Sequence, residues 1–128
     1  MSSTTPIQTD RAPAAIGPYS QGRAGAGMVF VSGQLGLDSV SGEFKGPDLE
    51  AQTQQALANL EAVLRAGGCG LTDVAAVDVF LVDMDDFVAF NRIYQKFFGE
   101  HKPARAVVAV KALPKGGRVE IKCLAVKK

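Results

Sequence analysis

The chain has 128 residues, of which 47% are hydrophobic and 21% are charged. These are the proportions of one folded globular domain over residues 1–128, and they exclude a disordered or fibrous chain. No apolar run approaches the roughly 18 residues of a membrane-spanning helix, and residues 1–14 lack the apolar core of a secretory signal.

The charges are unevenly distributed, although the formal net charge is only +1. Residues 101–128 contain eight lysines and arginines and a single acid, Glu120. This excess favours an anionic partner near the C-terminal third, and the alternative is a solvated strand face followed by a lysine tail. Two cysteines and one histidine are too few for a disulfide framework or a four-ligand zinc site. We therefore expect a cytoplasmic protein without metal or cofactor, with the mitochondrial matrix as the open alternative.

The sequence of the N-terminal half indicates short strands followed by one helix. Residues 17–20 (GPYS) are typical of a turn that enters a short strand, and residues 28–32 (MVFVS) form a compact apolar strand bounded by glycines. Asp48 is a suitable N-cap for a helix whose apolar residues recur every three or four positions up to Leu64. Gly67 and Gly68 then end this helix.

The C-terminal half begins with the clearest strand, Val74 to Val82, whose apolar character is typical of a strand covered on both faces. Three aspartates at 83, 85 and 86 precede an aromatic helical stripe, and they indicate a helix N-terminus rather than a metal site. Two further strands, 104–110 and 118–126, are separated by residues 113–117 (LPKGG), a pattern that predicts a β-hairpin.

The predicted order is β-β-β-α-β-α-β-β, which indicates an α+β fold with a single mixed sheet and two helices packed on one face. The second face of the sheet also presents valine, isoleucine and alanine. We therefore expect a homo-oligomer that buries this second face.

Arg105 is the most informative charged residue, because it alternates with apolar residues along its strand. A guanidinium on such a face requires a carboxylate partner. One interpretation is a buried ion pair with Glu120, and the other is that Arg105 receives the carboxylate of a small ligand while Glu120 acts as a general base. Both interpretations need the two residues on one face of the sheet.

Other candidate groups carry less information on their own. Tyr19 and Ser32 supply hydroxyl groups, and Asn91 supplies an amide from the aromatic helix. A histidine-dependent nucleophile would need His101, which we expect to be solvent-exposed at a helix end. Each of these residues, taken alone, favours a structural role.

Taken together, five segments of the chain resemble the Rid/YjgF family, the reactive-intermediate deaminases that act on enamines and imines. The matching segments follow the family order and spacing over nearly the whole chain: residues 12–21 (APAAIGPYSQ), 31–34 (VSGQ), 90–94 (FNRIY) with 97–98 (FF), 103–105 (PAR), and 113–115 (LPK) followed by 119–121 (VEI).

The resemblance implies a chorismate-mutase-like fold that forms a homotrimer, with one active site at each subunit interface. It implies that Arg105 binds the carboxylate of 2-imino acids such as 2-iminobutanoate and 2-iminopropanoate, which pyridoxal-phosphate dehydratases release. Glu120 would position the attacking water, and Tyr19 would assist catalysis. Ser32, Gly33, Asn91 and position 107 would complete the substrate site.

Two substitutions depart from the family pattern. Val107 stands where many bacterial members carry a cysteine, and Lys122 with Cys123 replaces a typical Glu-Ala pair. Two other functions remain open at this point: an RNA-binding protein or endoribonuclease, and a chaperone-like or regulatory small-molecule-binding trimer. An aromatic content of 7% makes a nucleic-acid stacking surface the less favoured interpretation.

Overall fold

The computed structural model describes residues 2–128. It contains six strands and two α-helices in the predicted order: β1 (Thr5–Ile7), β2 (Gly22–Gly25), β3 (Met28–Gln34), α1 (Leu49–Ala66), β4 (Val74–Leu81), α2 (Phe87–Phe98), β5 (Ala104–Ala109) and β6 (Val119–Val126). None of the helices in this part of the chain is long and apolar enough to span a membrane.

The strands form one mixed sheet in the order β1-β2-β3-β6-β4-β5. Only β4 and β5 pair in parallel, and the other neighbours are antiparallel. The predicted hairpin between β5 and β6 is wrong, because β4 lies between them. The helix α2 carries the chain from β4 back to the same end of the sheet, so β5 adds in parallel as the second strand of a β-α-β unit.

The two helices cover one face of the sheet, as predicted. Their apolar stripes meet the inward residues of the central strands, and the largest fully buried side chains include Leu57, Leu60, Phe90, Val79 and Ile121. A single hydrophobic core therefore lies between the helices and the sheet.

The opposite side of the sheet, which we call the open face, remains accessible. It carries Phe30, Val108 and Val126, which are between 41% and 47% exposed. In β4, buried residues alternate with half-buried ones, so only one face of this strand is covered within the chain. The prediction of a strand covered on both faces is therefore not met by one copy alone.

Both helices begin where the aspartates predicted them to begin, but not every aspartate makes the expected capping hydrogen bond. Asp48 occupies the N-cap of α1 but makes no side-chain capping bond. Asp83 accepts a hydrogen bond from the backbone N–H of Asp85 at 2.9 Å, which confirms its capping role. Asp86 instead pairs with Arg118 at 2.9 Å, and this ion pair joins the start of α2 to the start of β6.

Candidate functional site

Arg105 lies on the helix side of the sheet, where α2 orients its guanidinium. The Nη1 group donates a hydrogen bond of 2.7 Å to Oδ1 of Asn91. The guanidinium carbon lies 4.8 Å from the ring centre of Tyr94 and 5.7 Å from that of Phe87. Residues 87, 91 and 94 are spaced by four and three positions and so share one face of α2. We call these four residues the arginine cluster.

The arginine cluster opens into a cavity of about 350 Å³. Arg105 takes part in none of the three ion pairs found among residues 2–128. Its other N–H groups are therefore free to donate bidentate hydrogen bonds to a carboxylate. His101 and Lys102 also line the cavity, and the Lys102 ammonium adds positive charge there.

His101 is half-buried rather than solvent-exposed, which corrects the prediction for this residue. Its Nε2 lies 2.7 Å from the carbonyl oxygen of Val74. The imidazole therefore ties the end of α2 to the start of β4.

Glu120 lies on the open face, opposite Phe80 of β4. The register between β3 and β6 shifts by one residue between Val31 and Gln34, so Ser32 and Gly33 together stand opposite Lys122. A Cβ atom at Gly33 would overlap the Glu120 carboxylate, so the absent side chain makes room for it. Burial raises the pKa of the Glu120 carboxyl, and nearby Lys122 partly offsets this rise.

Two hydroxyl groups lie on the same side of the sheet as Glu120: Ser32 precedes Gly33, and Tyr19 lines a cavity together with Ser32 and Lys122. The Ser32 hydroxyl donates a hydrogen bond of 2.6 Å to the carbonyl oxygen of Ser20, so only its lone pairs remain for a ligand. Tyr19 is 54% exposed in the preceding loop. The buried Gln21 side chain holds that loop through hydrogen bonds to the carbonyl oxygens of Thr9, Ala12 and Pro13. We call Tyr19, Ser32, Gly33, Glu120 and Lys122 the glutamate cluster.

The arginine and glutamate clusters do not meet within one chain. Arg105 pairs in register with Val77, and Glu120 pairs with Phe80, so the two side chains project from opposite faces of the sheet. The interpretation of an Arg105–Glu120 ion pair is wrong, because Arg105 bonds to Asn91 instead. A site that uses both residues therefore requires a second copy of the chain.

The remaining predicted residues divide between the clusters. Val107 is half-buried on the helix side, in register with Val79 and two positions from Arg105. Asn91 contacts Arg105 through its amide oxygen, which leaves the amide nitrogen toward the cavity. Sequence reasoning missed Phe87 and Tyr94 as partners of Arg105, although their helical spacing from Asn91 was visible.

The overall fold matches solved structures over nearly its full length. The YjgF gene product from E. coli superposes with a TM-score of 0.92 at 40% identity, covering 97% of this chain and 99% of that one. E. coli TdcF with bound serine superposes with a TM-score of 0.93 at 39% identity, covering 97% and 99%. The molecule is thus an α+β protein of the YjgF fold.

Sequence comparison identifies the family to which this fold belongs here. The family model described as Endoribonuclease L-PSP matches residues 9–127. A goat (Capra hircus) protein named 2-iminobutanoate/2-iminopropanoate deaminase is 47% identical over 120 residues, covering 94% of this chain and 88% of that protein. The chain belongs to the L-PSP family, also called the YjgF/Rid family.

Proposed function

We propose that this protein is a 2-iminobutanoate/2-iminopropanoate deaminase that hydrolyses reactive 2-imino acids to 2-keto acids and ammonia. The observation that carries the proposal is the Arg105 guanidinium, which is held by Asn91 and two aromatic rings and pairs with no acid among residues 2–128. Such a group matches the carboxylate of a small 2-imino acid. Mammalian relatives that are 42–47% identical to this chain are named 2-iminobutanoate/2-iminopropanoate deaminase.

The proposed assembly is a homotrimer of the chorismate-mutase-like type with an active site in each cleft between copies. Its support is the position of the two clusters on opposite faces of one chain. The exposed apolar side chains of the open face also favour burial against another copy. In this assembly the arginine cluster of one copy faces the glutamate cluster of its neighbour.

The first step of the proposed reaction is to orient the substrate. Arg105 binds the substrate carboxylate, which converts a random encounter into an oriented one. Glu120 accepts a proton from water as that water attacks the protonated imine carbon. Glu120 returns this proton to the amine nitrogen of the tetrahedral intermediate, and the C–N bond breaks. The departing ammonia takes up the hydroxyl proton as the keto acid forms, so ammonium leaves and Glu120 is again a carboxylate.

The hydroxyl groups would act at the intermediate stage. Tyr19 and the backbone near Gly33 would stabilise the new hydroxyl of the intermediate. The Ser32 oxygen would accept a hydrogen bond from the departing amine, since its own proton is already donated to Ser20. Val107 would shape the wall beside Arg105. Pyridoxal-phosphate dehydratases acting on serine and threonine would supply the substrate.

The test is subunit mixing in a coupled assay. A threonine dehydratase generates 2-iminobutanoate, semicarbazide traps the residual imine, and the rate of keto-acid formation is measured. Arg105→Ala and Glu120→Gln should each lose the acceleration. Co-refolding the two variants should restore part of it, because some clefts then contain both native residues.

Two controls make the result specific. Arg92→Ala and Glu100→Gln remove exposed charges outside both clusters and should keep full activity. Wild-type protein that does not accelerate imine hydrolysis would overturn the deaminase proposal. Activity without any recovery on mixing would overturn the shared site.

A further inference from the structure

The open face carries a second cationic depression beside the glutamate cluster. This cavity of about 740 Å³ is lined by the cations Arg23 and Lys122 and by the hydroxyl groups of Tyr19, Ser20 and Ser32. Lys122 favours the carboxylate form of Glu120, but the proposed hydrolysis gives Arg23 no role.

Arg23 is held in place by neutral oxygen atoms. Its Nε donates to Oγ1 of Thr4 at 2.8 Å, and its Nη2 donates to the Thr4 carbonyl oxygen at 2.8 Å. Its Nη1 lies 3.5 Å from Oγ of Ser20. These bonds orient the guanidinium without neutralising it, so its charge remains available to an anion.

Lys122 also lacks an ion-pair partner among residues 2–128. Asp78 is its register neighbour on β4, yet the two side chains form no ion pair. Arg23 is in register with Phe30, which places it on the same face as Lys122 and Glu120. Lys122 interacts with the Glu120 carboxyl without forming a close ion pair, so both cations can still attract a further anion in this depression.

We propose that the site prefers 2-imino acids that carry a side-chain carboxylate over 2-iminobutanoate, because the glutamate cluster, extended by Arg23, binds this distal carboxylate. This inference rests on the proposed deaminase function and specifies its substrate class. Arg105 of one copy binds the carboxylate next to the imine, and Lys122 with Arg23 of the facing copy binds the distal carboxylate.

The reaction class that supplies such substrates differs from dehydration. Removal of water from serine or threonine leaves an uncharged side chain, whereas two-electron oxidation of the amino group of an acidic amino acid leaves a dicarboxylic imine. Hydrolysis itself transfers no electrons. Water adds to the imine carbon, the C–N bond breaks, and a 2-oxo dicarboxylate and ammonia are released.

The test compares charged and uncharged imines made in the same way. Amino-acid oxidases generate 2-iminosuccinate, 2-iminoglutarate and 2-iminobutanoate in place, and semicarbazide trapping measures their decay. The measured quantity is the ratio of kcat/KM for each dicarboxylic imine to kcat/KM for 2-iminobutanoate. Because all three substrates need the same Glu120, the ratio cancels any effect of Lys122 on that carboxyl.

We expect a wild-type ratio above one that falls roughly tenfold in Lys122→Met and further in Lys122→Glu. Lys96→Met removes an exposed lysine from α2 and should leave the ratio unchanged. Succinate should also inhibit 2-iminobutanoate turnover better than butanoate does, and Arg23→Gln should reduce that difference.

The outcomes separate the two proposals. If the protein hydrolyses 2-iminobutanoate but shows no dicarboxylate preference, or a preference unaffected by Lys122 and Arg23, this inference fails and the deaminase proposal stands. If no imine is hydrolysed faster than in buffer, both fail.

Discussion

At the scale of single residues, Arg105 illustrates how a charged group is prepared for a ligand. Stacking against Tyr94 and Phe87 restricts the guanidinium, and Asn91 fixes its rotation without cancelling its charge. The geometry makes Asn91 a positioning residue that acts through Arg105. Glu120 is prepared differently, by partial burial and by the space left at Gly33.

Asn91→Asp should raise KM for 2-iminobutanoate by roughly tenfold, because the new carboxylate would pair with Arg105 and compete with the substrate. Steady-state kinetics at constant pH measures this change. Gln54→Glu makes the same change of amide to carboxylate on the exposed side of α1 and should leave KM unaltered. An unchanged KM in Asn91→Asp would contradict the carboxylate role of Arg105.

Gly33→Ala should lower kcat while leaving the melting temperature nearly unchanged. The backbone at Gly33 does not adopt a positive φ, so alanine is tolerated there. The added Cβ would instead displace the flexible Glu120 carboxylate. Gly70→Ala, where a Cβ meets only ordinary contacts near 3.9 Å, is the matched control. Full activity in Gly33→Ala would argue against Glu120 as the base.

The pH profile should report the raised pKa of Glu120. In the proposed mechanism Glu120 acts as a carboxylate, so kcat should fall as the pH drops through a pKa that lies above the ordinary glutamate value. Lys122→Met removes a charge that favours the carboxylate, and the acid limb should therefore move to higher pH. Rates across the acid range for both proteins measure the shift. A move to lower pH would refute the assignment.

At the scale of elements, buried side-chain amides join α1 to the chain that follows β3. Nδ2 of Asn59 donates to the carbonyl oxygens of Leu35 and Leu37 at 3.0 and 2.9 Å, and Asn59 is fully buried. This contact holds the segment after Ser32 and Gly33 against the helix. The position of the glutamate cluster therefore depends on α1, which contributes no residue to it.

Asn59→Ala should lower the free energy of unfolding by about 1–3 kcal/mol, because two carbonyl groups would lose their donors. Urea unfolding measures the difference. Gln55→Ala removes the donor to Oδ1 of Asn59 but leaves both carbonyl bonds, and it should cost less. Equal losses in the two variants would contradict this account.

At the scale of the whole molecule, the open face is a sheet surface that neither helix covers. Its apolar residues are flanked by the edge strand β5, whose outer side has no strand neighbour among residues 2–128. An exposed apolar sheet face beside an unpaired edge favours self-association. The proposed trimer would cover the face and bring the two clusters together.

Val108→Asp should dissociate the proposed trimer and abolish activity with little change in helix content. Val108 is 45% exposed on the open face, in register with Phe80. Light scattering should show a mass near 13.4 kDa in place of about three times that value. Val88→Asp makes the same change on the outer side of α2, where valine is 68% exposed, and should remain trimeric. A monomeric wild type would overturn the assembly.

The sequence by itself determined the elements and their order, because helical and strand periodicity record which side of each segment is buried. It located α1, α2 and β4 to within a residue or two, and its motifs indicated the family. Periodicity and motifs are local properties, because each depends only on residues that are close together in the sequence.

Only the tertiary structure decided which strands are neighbours and which side chains meet. Placing β6 between β3 and β4 removed the predicted hairpin and put Arg105 and Glu120 on opposite faces. It also gave Arg105 its true partner, Asn91. Strand pairing and register depend on packing between distant segments, and a change of one residue in register exchanges the two faces of a strand.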